Sequence, residues 1–225
     1  MQYEDLLEKL HSLSDPQGKA GMARYGINTQ SALGISLYTL RPLAKETGKD
    51  HLLAQQLWDS GIHEARILAS MVDDPRLVDE EQMESWVSDF DSWDICDQTC
   101  SNLFDKTALA YQKTAEWSER TETFVKRAGF ALMAALSVHD KKASDEKIAA
   151  FLPVILREST DDRNFVKKAV NWALRQVGKR NLVLNALAIE TAQEIKNLDA
   201  RAARWIASDA LRELTSDKVQ QRLRK

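Results

Sequence analysis

A short motif that occurs twice limits the folds open to this chain. The sequence Phe-Val-Lys-Arg-Ala at residues 124–128 returns as Phe-Val-Lys-Lys-Ala at residues 165–169, 41 residues later. Residues 201–205 carry a weaker echo, and residues 63–67 are a candidate earlier copy. A period of about 40 residues, long enough for two helices, is typical of HEAT-type α-solenoids, in which helical pairs stack side by side. The spacing therefore predicts a repeat protein, although degenerate repeats also arise by chance.

Helix-forming residues and regularly spaced breakers fill the rest of the sequence. Gly48, Gly61, Asp140 and Gly178 predict helix ends, and an aspartate before Pro75 predicts a helix start. No stretch alternates polar and apolar residues as a strand would. The 225 residues include only 8 glycines and 4 prolines, which excludes collagen-like and low-complexity chains. We expect an all-α chain: one HEAT-like repeat domain over residues 1–225, forming an α-solenoid with a concave face.

Three further features bear on the compartment. The longest apolar run, residues 130–138, is about half the length that a membrane-spanning helix needs. The N-terminus is acidic and amphipathic, unlike a secretion signal. The 2 cysteines form no disulfide framework, which is typical of a reducing compartment. We therefore expect a cytoplasmic protein without a membrane partner.

Few residues could carry metal or nucleophilic chemistry. Cys96 and Cys100 lie on one predicted helix, with no histidine or second cysteine pair nearby, which disfavours zinc and favours buried structural thiols. The glycines of residues 18–26 lack both spacings that bind nucleotide phosphates. We interpret this segment, which follows a predicted helix stop at Asp15-Pro16, as a turn between short helices. We expect no metal and no cofactor.

Charge is divided unevenly along the chain. Residues 1–119 have a net charge of −11 and residues 120–225 a net charge of +8, within a total of −3. Residues 73–97 alone hold ten carboxylates against one base, Arg76. Such asymmetry indicates a basic surface for an anionic partner, or merely helix faces of different sign.

The second copy of the motif begins a predicted helix that carries a tryptophan and two cations along the border of its apolar face. On a helical wheel, residues 165–178 have one broad apolar face, with Lys168, Trp172 and Arg175 along its border. A tryptophan between two cations could stack on a sugar while the cations hold phosphates. The alternative is a core tryptophan flanked by two solvated bases. One repeat earlier, Ala131 and Ala134 take the places of Trp172 and Arg175, which predicts open space in front of the tryptophan.

A second stripe lies on a helix predicted to begin near Ser92. Trp93, Asp97 and Cys100 are spaced there at i, i+4 and i+7. An aspartate one turn from a tryptophan could be a fixed carboxylate beside a cationic ligand, or a surface acid in an acidic helix. Spacing leaves both readings open.

Five segments together carry a resemblance to a known family. They are Met-Ala-Arg-Tyr-Gly-Ile at 22–27, residues 57–66, Asp-Phe-Asp-Ser-Trp-Asp-Ile-Cys-Asp at 89–97, Val-Lys-Arg-Ala at 125–128, and residues 165–175. Over roughly residues 20–212, the chain resembles the AlkD-like DNA alkylation repair family of HEAT-like repeat DNA glycosylases.

The resemblance implies a reaction and the residues that perform it. Family members hydrolyse the N-glycosidic bond of cationic purines alkylated at N3 or N7, in duplex DNA and without base flipping. Asp97 matches the catalytic carboxylate, and Arg127 matches an arginine that contacts the DNA backbone near the lesion. Trp93 and Trp172 match tryptophans that pack against the sugar of the lesion. We expect these four side chains to converge in a shallow cleft.

Because the first half is acidic, DNA binding is expected to use cations of the second half. Besides Arg127 they are Lys126, Lys167, Lys168, Arg175, Lys179, Arg180, Arg201 and Arg204. The expected partner is double-stranded DNA containing alkylated purines, bound by a monomer at the nucleoid. One alternative is a non-catalytic repeat protein that binds DNA structures or a protein partner, and a pure protein scaffold is a third.

Overall fold

Capping residues and turns divide the chain into short helices. The computed structural model describes residues 2–224, and all regular secondary structure in that range is helical. The α-helices are α1 Tyr3–Ser12, α2 Pro16–Arg24, α3 Leu37–Thr47, α4 His51–Asp59, α5 His63–Val72, α6 Glu80–Ser88, α7 Trp93–Asn102, α8 Ala110–Ser118, α9 Thr123–His139, α10 Asp145–Ala149, α11 Phe151–Glu158, α12 Asn164–Gly178, α13 Leu182–Lys196, α14 Arg201–Leu214 and α15 Asp217–Leu223. A 3₁₀ turn at Phe104–Lys106 follows α7. Within residues 2–224, no helix has the length and apolar character required to cross a bilayer.

Most of the predicted helix ends are confirmed. Gly48 and Asp140 are the residues that directly follow α3 and α9, and Gly178 is the last residue of α12. Gly48 and Gly61 have positive φ angles of 78° and 68°, a conformation that glycine adopts without strain. The prediction of an all-α chain is confirmed as well.

The interpretation of residues 18–26 as a turn was wrong. Asp15 begins a helix there, because its side chain accepts a hydrogen bond from the Gln17 amide (2.9 Å) and Pro16 is the first residue of α2. Gly18 lies inside this helix. A Cβ atom on Gly18 would lie 2.2 Å from the carbonyl oxygen of Gly34. The glycine therefore permits a close backbone contact and does not break the helix.

The helix start predicted at Pro75 was also wrong. The next helix, α6, begins at Glu80, and its N-cap is Asp79, whose side chain accepts from the Gln82 amide (2.8 Å). The Asp74 carboxylate instead binds the guanidinium of Arg76 (2.6 Å). Asp74, which precedes the proline, therefore forms a local ion pair and does not cap a helix.

Between Leu109 and Ala110 the chain divides into two compact units, and each is described separately. In the first unit, residues up to 109, the indoles of Trp58 and Trp86 stack with centroids 4.0 Å apart and planes 4° from parallel. The Asp89 carboxylate accepts from the Trp58 indole (2.9 Å) and from Arg66 (3.1 Å). This stacked pair ties α4 to α6 in the core.

A buried glutamate holds the loop between α2 and α3 against α5. The Glu64 carboxylate, 1% exposed, accepts from three consecutive backbone amides: Leu33 (2.8 Å), Gly34 (2.7 Å) and Ile35 (3.1 Å). A carboxylate taken out of water needs such donors to offset its lost hydration. The loop is therefore fixed by one side chain of α5.

The second unit, residues from 110, contains the repeated motif. Its two copies open α9 and α12, and the rings of Phe124 and Phe165 meet with centroids 5.3 Å apart. The weaker echo opens α14. Between α12 and α14, Asn171 donates to Asp209 (2.7 Å), a residue 38 positions later. Corresponding helices of successive repeats thus lie against each other, as the repeat predicted.

The space expected beside Ala131 and Ala134 is absent. Both alanines are completely buried. All residues of α9 from Ala128 to Leu136 are buried as well. A Cβ atom on Gly129 would lie 2.7 Å from the Ser118 amide nitrogen, so α8 and α9 are in backbone contact there. Small residues in α9 serve close helix packing and do not border a groove.

Candidate functional site

Helix α7 presents Trp93 and Asp97 to solvent and buries its cysteines. The helix begins directly after Ser92, close to the predicted start, and Trp93 is the first helical residue. Trp93 and Asp97 are both partly exposed, whereas Cys96 and Cys100 are 0% exposed. An indole and a carboxylate one turn apart on a helix lie on the same side of it. Cys100, which shared the predicted stripe, belongs to the core.

The indole of Trp93 is anchored by the segment that follows α2. Its Nε1 donates to the carbonyl oxygen of Tyr25 (3.1 Å). The backbone amide of Asn28 donates to the Ser92 hydroxyl (2.8 Å), and the Asn28 side chain donates to Asp91 (2.6 Å). The first turn of α7 is therefore held in place by bonds to a distant part of the sequence.

A buried histidine joins α5 to the same turn of α7. His63 is 1% exposed, and its Nε2 lies 2.8 Å from Asp94 Oδ2. Burial lowers the pKa of His63, but the hydrogen bond and charge of Asp94, with the charges of Glu64 and Asp91, outweigh burial and raise this pKa above its ordinary value. The ion pair therefore strengthens as the imidazole takes up a proton.

A cavity of about 230 Å³ lies beside this pair within the first unit. His63, Asp94 and Trp93 line it, together with apolar residues such as Ile35 and Ile67. In the described part of the chain, Asp94 Oδ1 is buried and has no hydrogen-bond partner. A largely apolar recess thus lies beside Trp93 at the N-terminal turn of α7.

The two cysteines are poorly suited to chemistry. Both are buried and neither forms a disulfide. Burial, with the neighbouring Cys96, raises the pKa of the Cys100 thiol well above its ordinary value, so it stays protonated. Within residues 2–224, no group of three or more His, Cys, Asp or Glu side chains is arranged to hold a metal ion.

The second unit holds Arg127 and Trp172. Arg127 is only 5% exposed, and its Nη1 donates to the carbonyl oxygen of Phe165 in the next repeat (2.6 Å). Trp172 is partly exposed on α12, between the buried residues Asn171 and Ala173. Trp172 is therefore accessible to a ligand, whereas the Arg127 guanidinium lies mostly inside the protein.

Three of the predicted DNA-binding cations contact partly buried carboxylates. Lys126 lies 2.6 Å from Glu158, and Lys179 lies 2.7 Å from Glu213, which also receives a hydrogen bond from Arg175. Burial raises the pKa of Glu213, but hydrogen bonds from Lys179 and Arg175 outweigh burial and lower this pKa. These cations have structural partners within their own unit.

Arg180 closes the C-terminal end of α9. Its guanidinium donates to the carbonyl oxygens of Ser137 (3.0 Å), Asp140 (2.7 Å) and Ala143 (2.9 Å). The last carbonyls of a helix have no partner within it, and an arginine there both satisfies them and favours the helix dipole.

The remaining predicted cations are more available. Lys168 and Arg201 are exposed, and within residues 2–224 neither side chain has a hydrogen bond or an ion pair. Arg204 is exposed and lies 3.0 Å from an aspartate at position 199. The Lys167 ammonium lies 5.0 Å from the ring centroid of Trp205, which is 41% exposed. These four cations and one indole form the accessible basic surface of α12 and α14.

The four predicted catalytic residues thus divide equally between the units. Trp93 and Asp97 share α7 in the first unit, and Arg127 and Trp172 occupy neighbouring helices of the second. Convergence of the two pairs in one cleft stays a prediction.

A sequence model described as "DNA alkylation repair enzyme" matches residues 6–214 of the chain. The chain belongs to this family. The match covers nearly the whole sequence, and the resemblance seen in the motifs is confirmed. No curated protein matches the sequence significantly.

A solved structure of another protein has the same fold as this DNA alkylation repair family member. It is described as a new family of proteins related to the HEAT-like repeat DNA glycosylases with affinity for branched DNA structures. It superposes with a TM-score of 0.78 at 19% identity, over 95% of each chain. The prediction of a HEAT-like repeat fold is confirmed. A crystal structure of an engineered protein covers 93% of this chain and 98% of its own at 15% identity, but its TM-score of 0.39 carries no argument.

Sequence reasoning did not find several residues that build the first half of the site. Tyr25 lies in a segment that carried the family resemblance, but its contact with Trp93 joins positions 68 residues apart. His63 opens the candidate earlier copy of the repeat, and its contact with Asp94 joins positions 31 residues apart. This separation does not match the period of about 40 residues, so the repeat pattern gave no signal for the pair.

Proposed function

We propose that this protein is a DNA glycosylase that hydrolyses the N-glycosidic bond of purines alkylated at N3 or N7 in duplex DNA. The observation that carries the proposal is the partly exposed Asp97 carboxylate one turn beyond an anchored, partly exposed Trp93. Membership of the DNA alkylation repair enzyme family supports it.

The chemistry follows from the charge of the substrate. A purine alkylated at N3 or N7 is cationic and leaves as a neutral base, so it needs no general acid. The barrier lies in the positive charge that develops on deoxyribose as the bond breaks. A preorganised carboxylate stabilises that charge and can orient the attacking water. We assign this role to Asp97.

The tryptophans stabilise the same charge through their ring faces. An indole attracts a cation within about 6 Å of its centroid. The Tyr25 carbonyl holds the Trp93 ring in one orientation before the substrate binds. The ring therefore needs little further ordering when the transition state forms. Trp172 supplies the second ring in this proposal. Arg127 is 5% exposed and bonded to the Phe165 carbonyl, so its guanidinium would have to turn outward to contact the DNA backbone. No base flipping is required.

DNA binding is assigned first to the cations that have no buried carboxylate partner. Lys167, Lys168, Arg201 and Arg204 lie at the accessible surface of α12 and α14. Lys126, Arg175 and Lys179 pair with carboxylates of their own unit, and any phosphate would compete with these partners. The expected setting is a cytoplasmic monomer at the nucleoid.

Release of free base tests the reaction. Wild-type protein is incubated with duplex DNA containing 7-methylguanine, and the liberated base is measured by chromatography. We expect Asp97→Asn to abolish release, with little change in DNA affinity. Asp59→Asn, an equal charge change at an exposed position of the first unit, serves as the matched control and should retain activity. Equal release by wild type and Asp97→Asn would overturn the assignment.

A second candidate function is recognition of branched DNA without catalysis. It is favoured by the relative of the same fold, which is described as having affinity for branched DNA structures. It predicts tighter binding to a four-way junction than to a linear duplex of equal length, independent of methylation. Asp97→Asn would leave that preference unchanged. Base release from methylated duplex separates the two functions.

A further inference from the structure

The C-terminal ends of α9 and α12 border a cavity of about 450 Å³, together with α15. Four cationic side chains line it: Lys141, Lys179, Arg180 and Arg222. None of the described residues that line it is a carboxylate. Converging like charges repel one another, and a concave surface of one sign concentrates ions of the other sign. A lining with four cations and no carboxylate therefore points to an anionic ligand.

Much of this positive charge is still available for hydrogen bonds. Lys179 is neutralised by Glu213 outside the cavity lining. Arg222 donates one hydrogen bond, to the Lys179 carbonyl (2.9 Å), which leaves most of its guanidinium donors unused. The Lys141 ammonium is exposed and, within residues 2–224, has no hydrogen-bond or ion-pair partner. Lys141 and Arg222 can therefore both turn toward an oxyanion.

Arg180 gives the cavity a fixed positive wall. The carbonyl oxygens of Ser137, Asp140 and Ala143 hold its guanidinium in place without neutralising its full charge. A held arginine loses little conformational entropy when it meets an anion. Val138 and Leu223 add an apolar part to the lining.

We propose that this cavity binds a phosphate monoester. Such a group carries between about 1.5 and 2 negative charges at neutral pH, whereas a phosphodiester carries about one. The two mobile cations and Arg180 suit the larger charge. A terminal phosphate can also enter a cavity from one side, and the apolar wall suits the attached nucleoside. The phosphate belongs either to the end of a DNA strand or to a free nucleotide.

The cavity lies apart from Trp172 and Arg127. Lys179 follows Trp172 by seven residues, or roughly 10 Å along the helix, and Ser137 follows Arg127 by ten residues, or roughly 15 Å. The site is therefore an addition to the proposed function and does not depend on Asp97.

Fluorescence anisotropy with the full-length protein tests the proposal. The probes are one short dye-labelled duplex with a 5′-phosphate, the same duplex with a 5′-hydroxyl, and a labelled deoxynucleoside 5′-monophosphate. We expect the phosphorylated duplex or the nucleotide to bind, with a preference of about tenfold over the hydroxyl end, as two charge-assisted contacts would give. Preference for the duplex end identifies a strand end as the source, and binding of the nucleotide alone identifies a free nucleotide.

The double variant Lys141→Ala/Arg222→Ala should remove that binding difference. Lys142→Ala/Arg212→Ala changes the charge equally at exposed positions outside the cavity and is the matched control. Equal binding of both duplex ends together with no nucleotide binding would overturn the proposal, as would an equal loss in the control. Asp97→Asn should keep the phosphate preference, so this result is independent of glycosylase activity.

Discussion

The two units hold their candidate site residues by different means. In the first unit, Trp93 and the turn that precedes it are bonded to Tyr25 and Asn28, more than 60 residues earlier. In the second unit, Arg127 contacts Phe165, and Asn171 contacts Asp209, each 38 residues along the chain. One unit depends on a few specific bonds to a loop, and the other depends on contacts between helices of successive repeats, at a spacing of 38 residues.

This difference has energetic consequences. In a repeat array, stability is spread over similar interfaces between neighbours, so one lost contact is a small part of the total. A loop held by a single buried carboxylate has no such reserve. Single substitutions should therefore cost more in the first unit than in the second.

The largest effect is expected from Glu64→Gln. Its carboxylate accepts three backbone amides in a buried position, and an amide would turn a donor toward at least one of them. We expect the free energy of unfolding to fall by about 3 kcal/mol, measured by urea denaturation. The exposed control Glu190→Gln should change it by less than about 0.5 kcal/mol. Similar effects for both variants would contradict the proposed anchoring.

A pH-dependent effect is expected from His63. Because its pKa is raised in the folded protein, the ion pair with Asp94 contributes fully below the unfolded pKa and is lost as pH rises through the folded value. The free energy of unfolding of the wild type minus that of His63→Gln should therefore decline as pH increases above about 6.5. Urea midpoints of both proteins across that range give the difference. A gap that stays constant with pH would rule the ion pair out as its source.

A smaller effect is expected from Asn171→Ala in the second unit. The buried side chain donates one hydrogen bond, to Asp209 (2.7 Å). We expect the free energy of unfolding to fall by about 1 kcal/mol, a typical value for one such bond. A double-mutant cycle with Asp209→Ala isolates the pair. A loss as large as that of Glu64→Gln would break the comparison between the units.

The smallest effect on stability is expected from Arg204→Ala. Its ion pair with the aspartate at 199 is exposed on both sides and should contribute less than about 0.5 kcal/mol. If α14 contacts DNA as proposed, the same variant should weaken duplex binding and reduce its salt dependence by about one counterion. Unchanged affinity at low salt would remove Arg204 from the interface.

Local features of the sequence predicted the fold well. The repeat placed α9 and α12 correctly, and Ser92 marked the start of α7, because caps and periodicity are properties of neighbouring residues. Gly18 was misread because its helix needs a glycine for contact with Gly34, which is a tertiary requirement.

The candidate site was predictable only in part, and for the same reason. The spacing of Trp93 and Asp97 fixes their common side of a helix, which the exposure of both confirms. The loop that holds Trp93 and the carboxylate that holds this loop come from distant positions with no periodic relation. The burial of Ala131 and Ala134 likewise follows from packing that composition does not reveal.

The parallel indoles of Trp58 and Trp86 give the first unit an optical signature. Chromophores stacked this closely couple their electronic transitions, which adds a paired signal to the circular dichroism of the protein. That signal vanishes when α4 and α6 separate, whatever happens to residues beyond 109. Recorded beside the helical ellipticity, it would report whether the two halves melt together or one after the other.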